Sequence, residues 1–469
     1  MTDLAAEPDV TEPQATTNRY MSGLYAPVAE EVTAFDLDVT GTLPPELDGR
    51  YLRNGPNPIT APDPAAYHWF TGDAMVHGIR LRDGKADWYR NRWVRSTHVS
   101  DALGEEPAPG ERHGGMETAN TNVVDIGGAT FAIVEAGARP VELSDELETI
   151  CHSDLGGTLP HGFSAHPKRD PATGDLHTVS YHWARPNVLE YTVIGTDGRV
   201  SHRVDVPVPG NPMAHDCSIT ETTLAVYDLP VTFNLDLAMG GGVFPYVWDE
   251  PYGARVGLMA LAGSPDDIMW FDLEPCYVFH PLNARDEGDT VVLDVVRHPR
   301  MFDSSRLGPN DGVPSLWRWT LDRSTGRAKE EQLDDRAVEF PRVDERAVGR
   351  PHRYGWATGL GVGDDDDVDF PGASMVRYDS TTGEADVVAF GRGRTAGEVV
   401  FVPRSDDAAE DDGWYLTLVH DAGTDCSDLV VLDASAPAED PVATVHLPAR
   451  VPLGFHGNWI PSPGSAPAR

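Results

Sequence analysis

The stretch ATGDLHTVSYHWARPNVLEYTVIGTDGR, residues 172–199, states the fold class in its punctuation. Two runs of strand-forming residues, HTVSYHW (177–183) and VLEYTVI (188–194), lie between ATGD (172–175) and TDGR (196–199). A glycine behind a small polar residue supplies the positive φ of a tight hairpin, while β-branched and aromatic residues suit a pleated sheet. The same pattern recurs in both directions. Further turn signals stand at RDGK (82–85), STGR (324–327) and TTGE (381–384), and further runs at TVVLDVV, YLTLVH, DLVVLDAS and ATVHLPA. Helical periodicity is weak, and LSDELETI (143–150) is the best short helix candidate. So many hairpins along 469 residues predict an all-β chain built from small sheets repeated about an axis, a β-propeller. An assembly of two-sheet sandwiches competes with it, because no repeated WD dipeptide marks the blades.

Bulk numbers narrow the function classes. Hydrophobic residues make up 40% and charged residues 24%, enough apolar material for a sizeable core. The 75 acidic against 36 basic side chains give a formal charge of −39, which repels nucleic acid phosphates and anionic lipid headgroups at long range. Nucleic acid is therefore not expected as a partner. Cys151, Cys217, Cys276 and Cys426 form no CxxC pair, which fits a reducing cytoplasm. The opening MTDLAAEPDVTEPQATTNRY lacks the basic and apolar regions of a signal peptide, and no 18-residue apolar run exists. Residues 1–18 and 463–469 read as flexible tails around one domain, 19–462. The acidic runs DDDD (364–367) and SDDAAEDDG (405–413) read as solvated loops, without the ligand alternation of a calcium loop.

Four of the 17 histidines share a setting beside apolar or small residues near a strand end. They are His166 in FSAHPKRD, His215 in NPMAHDCSIT, His280 in CYVFHPLNA and His456 in GFHGNW, separated by 49, 65 and 176 residues. Such spacing excludes two ligands on one helix; only a fold that brings separate sheets to one axis could unite them. Four neutral imidazoles would leave a divalent ion its full charge and two open octahedral positions. A metal-bound imidazole usually donates its other N–H to an oxygen, and Glu135 (FAIVEAG), Glu339 (AVEFPRV) and Glu398 (GEVVFVPR) are candidate acceptors in apolar settings. Taken singly, each histidine also reads as a core or loop residue, and each glutamate as a strand residue facing solvent.

At these residues the chain resembles the carotenoid cleavage oxygenases, a family that includes apocarotenoid and stilbene-cleaving oxygenases. The likeness runs from about residue 20 to 460 through LDGRYLRNGPNP (47–58), YHWFTGDAMVHG (67–78), ANTNVV (119–124), the four histidine segments, EFPRVDERAVGRPHRYGW (339–356) and GEVVFVPR (397–404). It implies a seven-bladed propeller under a dome of loops and short helices. It implies Fe(2+) held by His166, His215, His280 and His456, with Glu135, Glu339 and Glu398 orienting three of them and Thr121 placing a methyl group near a vacant metal position. It implies O2-dependent cleavage of a conjugated double bond into two carbonyl products, with no side chain acting as general base. Thr71-Gly72-Asp73-Ala74 departs from the family's usual Asp-Gly-Asp-Gly, which bears on local loop geometry. Val134 stands where stilbene-cleaving relatives carry a phenol-engaging lysine. An apolar polyene, carotenoid or apocarotenoid, is thus expected over a phenolic stilbene, with a non-catalytic carotenoid carrier or a propeller scaffold as remoter readings. The 231–262 segment, with Phe233, Phe244, Tyr246 and Trp248, is expected to line the substrate tunnel and to meet a membrane peripherally at its mouth.

Overall fold

Asp83 and Gly84 both take positive φ, 50° and 70°, and turn strand Ala74–Arg82 into Lys85–Trp93 with the twist that two-residue hairpins favour. The four other glycine turns read from the sequence likewise join adjacent antiparallel strands. A computed structural model of the chain describes residues 18–113, 117–241, 244–305, 307, 311–362 and 368–462. The expected tails, apart from Asn18, and the DDDD run lie outside these residues.

The described strands form seven four- to six-stranded sheets around an axis, a seven-bladed β-propeller, with one small accessory sheet. The ring closes at two seams: Val39–Gly41 pairs antiparallel with Ala443–His446 in one blade, and in the next Gly457–Pro461, from the C-terminal side, pairs antiparallel with Gly49–Pro56. Along that inner strand alternate side chains face alternate neighbours. Tyr51 packs with Leu416 and Val431 of the preceding blade. Leu52 packs with Val123, Ala132 and Val141 of the following one. All these side chains are buried, each contributing about 1.5–3 kcal/mol for a residue of Leu or Val size. Burial on both faces explains why the strands read as apolar runs rather than as clean alternation.

LSDELETI is not a helix. Strand Val141–Leu143 turns into Thr149–His152 there. The Ser144 hydroxyl accepts from the amides of Glu146 and Glu148, and Leu147 sits at φ 68°. A serine that caps a helix and a serine that closes a turn use the same oxygen, so the local sequence does not separate them.

One end of the ring carries longer connections. They include a 3-10 turn at Trp69–Thr71, the accessory sheet of Val231–Phe233 and Tyr246–Trp248, and helix Leu235–Met239. Asp73, in the departing tetrapeptide, accepts from the Ile59 amide and so fixes the loop before strand Ala74–Arg82. Among the described residues no helix is long and apolar enough to cross a membrane.

Candidate metal centre

Each blade presents one residue to the axis near the start of its innermost strand. His166 lies two residues before Lys168–Arg169, and His215 two before Cys217–Ile219. His280 directly precedes Pro281–Glu287, and His456 directly precedes Gly457–Pro461. The other three blades present Thr121 before Asn122–Ile126, Glu339 within Val338–Val343, and Glu398 before Val400–Pro403. Positions far apart in sequence thus share one level of the ring.

One ring nitrogen from each of the four histidines lies within 4.8 Å of the others, and all four side chains are buried. The Nε2 atoms of His166 and His215 are 3.0 Å apart, those of His215 and His280 3.3 Å. On the far side of three rings Nδ1 donates to a buried carboxylate: His215 to Glu135 at 2.7 Å, His280 to Glu339 at 2.5 Å, and His456 to Glu398 at 3.0 Å. A neutral imidazole that donates through Nδ1 holds a lone pair on Nε2. Three such lone pairs converge with the fourth ring on one point, an arrangement suited to a cation and otherwise repulsive. The donor set therefore fits a borderline divalent metal.

Burial favours the neutral state at two of the rings. Burial, reinforced by the imidazoles of His456, His215 and His280, holds His166 far below the ordinary histidine range. Burial pushes His280 down to about 3 despite Glu339. Burial would lower His215 too, but the carboxylates of Glu135, Asp216 and Glu339 together move it upward. Burial would raise Glu339, yet His280 and His298 hold it well below the usual carboxylate range. Burial would also raise Glu398, but Arg342 and His456 hold it low as well.

Three partners of the centre went unnoticed in the sequence. His298, fully buried, donates through Nε2 to Glu339 at 2.8 Å, so that carboxylate joins two imidazoles. Arg342 lies 3.3 Å from Glu398. His166 has no glutamate; its Nδ1 is 3.9 Å from Asp216, whose Oδ2 accepts from Lys168 at 2.8 Å.

Above the histidines lies a cavity of about 450 Å³. Thr121, Val134, Phe233, Phe244 and Tyr246 line it; Trp248 does not. Trp248 sits two residues beyond Tyr246, ~7 Å along the strand, with the Arg300 guanidinium over its ring. Phe70, Tyr181, Phe279, Phe340 and Phe455 complete much of the wall. Three of these adjoin a histidine or glutamate of the centre in sequence, a signal present in VFH, EF and GFH. The Thr121 hydroxyl donates to Asn120 Oδ1 at 3.2 Å, which leaves its methyl as the apolar part of that side chain. At the mouth Met239 is 81% exposed, Leu235 62% and Trp183 46%.

Residues 25–461 match the model of the retinal pigment epithelial membrane protein family. The chain is 46% identical to a carotenoid cleavage oxygenase of Mycobacterium tuberculosis, over 95% of this chain and 98% of that one. It superposes on a lignostilbene dioxygenase of Pseudomonas brassicacearum with a TM-score of 0.85 at 27% identity, covering 97% of this chain and 100% of the other. Cobalt-substituted Synechocystis apocarotenoid oxygenase gives a TM-score of 0.83 at 27% identity, covering 93% and 97%.

Proposed function

The chain belongs to the retinal pigment epithelial membrane protein family, that of the carotenoid cleavage oxygenases, and from that premise we propose that it is a non-haem iron(II) dioxygenase that cleaves a conjugated double bond of a carotenoid or apocarotenoid. One observation carries the reading: four imidazoles converge at the foot of a largely apolar cavity. His166, His215, His280 and His456 would hold ferrous iron, and Glu135, Glu339 and Glu398 would keep three rings turned toward it. Bound there, iron supplies the activation of O2. The balance is closed by the reactants: one O2 and one C=C give two carbonyls, with no external reductant.

The remaining work falls to the cavity. Its aromatic walls would hold the polyene so that one bond faces the histidines, and they keep bulk water from that bond. Thr121 would limit what occupies the space beside the ligands. Val134, 6% exposed on the cavity wall, offers a phenol no partner, which favours a hydrocarbon over a hydroxystilbene. The test is a product assay. Iron-loaded protein incubated with carotenoids, apocarotenals and 4-hydroxystilbenes should convert the first two classes to pairs of carbonyl fragments identified by mass. Cleavage of hydroxystilbenes alone would overturn the substrate assignment.

Two further outcomes are expected. Gln at Glu135, Glu339 or Glu398 keeps the shape but offers the imidazole a weaker, neutral acceptor. Iron affinity or activity should fall roughly 10–100-fold, read as metal retained against a chelator beside turnover. Wild-type behaviour in all three variants would remove the glutamates from the centre. The second concerns the mouth. Met239, Leu235 and Trp183 form an exposed apolar rim of the sort that dips into a bilayer interface. Given the charge of −39, flotation with neutral liposomes should persist in high salt, gain nothing from anionic lipid, and weaken in Met239→Asp. Binding that requires anionic lipid would contradict this mode.

A further inference from the structure

The four histidines divide two cavities of different character. The larger, on the dome side, reaches solvent past the apolar rim of Leu235, Met239 and Trp183. A second cavity of about 100 Å³ lies against His166, His280 and His456 and is much the more polar of the two; at ~30 Å³ per water it has room for about three. Its charged lining pairs off along the wall. Asp216 joins Lys168 at 2.8 Å, and Arg342 joins Glu345 at 2.8 Å and Glu398 at 3.3 Å. Three carboxylates against two cations leave one net negative charge. The Glu345 side chain is 56% exposed, so this wall runs from solvent to the imidazoles.

We propose that the polar cavity is the path by which a hydrated divalent metal ion reaches and leaves the four histidines, a proposal that rests on reading those histidines as a metal site. Stripping water from a divalent ion among Phe233, Phe244 and Tyr246 is costly, because those walls return few polar contacts. The second cavity instead offers oxygens of Glu345, Glu398 and Asn458 between solvent and His456. Separation also has a chemical use. Substrate in the apolar cavity and metal exchange from the other side would not obstruct each other.

The route is tested by metal kinetics on the full-length apoprotein, following Co2+ uptake by stopped-flow absorption and release to an excess of chelator. Val124 lines the polar cavity and is half-buried, so Val124→Trp should narrow it. Uptake and release should both slow at least about tenfold with final stoichiometry unchanged, since a barrier on a path slows both directions alike. Glu345→Lys, at an exposed position, should slow uptake roughly threefold to tenfold, an effect that shrinks with added salt. Met239→Trp, at the apolar mouth, should alter neither rate. Full stoichiometry with unchanged rates in both Val124→Trp and Glu345→Lys, or slowed uptake in Met239→Trp, would overturn the route. A wild-type chain that takes up no metal would end the metal-site reading itself.

Discussion

His280→Ala is expected to leave a folded propeller that retains less than about a tenth of the iron and no measurable turnover. The ring lost is one of four donors, and its neighbours cannot replace it, because each is fixed by its own blade. Losing only the outer-sphere contact of a ligand costs 10–100-fold in affinity, so losing the ligand itself should cost more than about 100-fold in metal affinity. Folding is expected to survive for a specific reason. Glu339 would be left buried without the His280 Nδ1–H, yet it keeps the His298 Nε2–H and the Phe340 amide as donors. A carboxylate still accepting two hydrogen bonds does not carry the full penalty of an orphaned buried charge. The same substitution at His166, His215 or His456 should give the same metal loss. Metal content per chain and circular dichroism together decide it: a variant with full iron and turnover would exclude that histidine from the centre.

The second large effect is expected at Val134. A lysine there places an ammonium on an apolar wall, one residue from Glu135 and facing the space proposed for a polyene. Turnover of a carotenoid per unit concentration should fall about 100-fold, corresponding to ~2.7 kcal/mol, within the cost of leaving a polar group desolvated without a partner. Cleavage of a 4-hydroxystilbene, whose phenol the ammonium can engage, should rise. Val134→Met separates charge from volume and should cost much less. A Val134→Lys enzyme that still cleaves carotenoids at the wild-type rate would remove this residue from selectivity.

Legibility differed by the range of the interaction involved. Hairpins were readable because their cause is local: Asp83-Gly84 takes positive φ at both residues, and each of the four other turns takes it at its glycine. The turn at 143–150 misled for the same reason, since the Ser144 hydroxyl serves a helix cap and a tight turn alike. The four histidines had a common setting, but their convergence depends on seven sheets agreeing in register, which no local window contains; the resemblance to a family supplied it. His298 and Asp216 were missed because their importance lies in what they touch across blades, Glu339 and Lys168. The aromatic wall was half readable. Phe233, Phe244 and Tyr246 come from one contiguous segment, whereas Phe70, Phe279 and Phe455 come from three connections and Phe340 from strand Val338–Val343, and they meet only in the folded molecule.

The seam between Gly49–Pro56 and Gly457–Pro461 has a consequence for the order in which the molecule is made. Synthesis from the amino end delivers His166, His215 and His280 in sheets that can pair with their own neighbours as they emerge. His456 arrives 290 residues after His166, attached to the strand that completes the first blade. Three donors can therefore wait in a nearly finished ring, but the fourth appears only when the last strand docks. Closure of so distant a pair is slow compared with hairpin formation. A metal ion that prefers four donors to three would bind the closed form more tightly and hold it shut, by about 2.7 kcal/mol at a hundredfold excess over its dissociation constant. Metal scarcity during growth would then show first as fraying at this seam, with chains open to proteolysis between the first blade and its final strand.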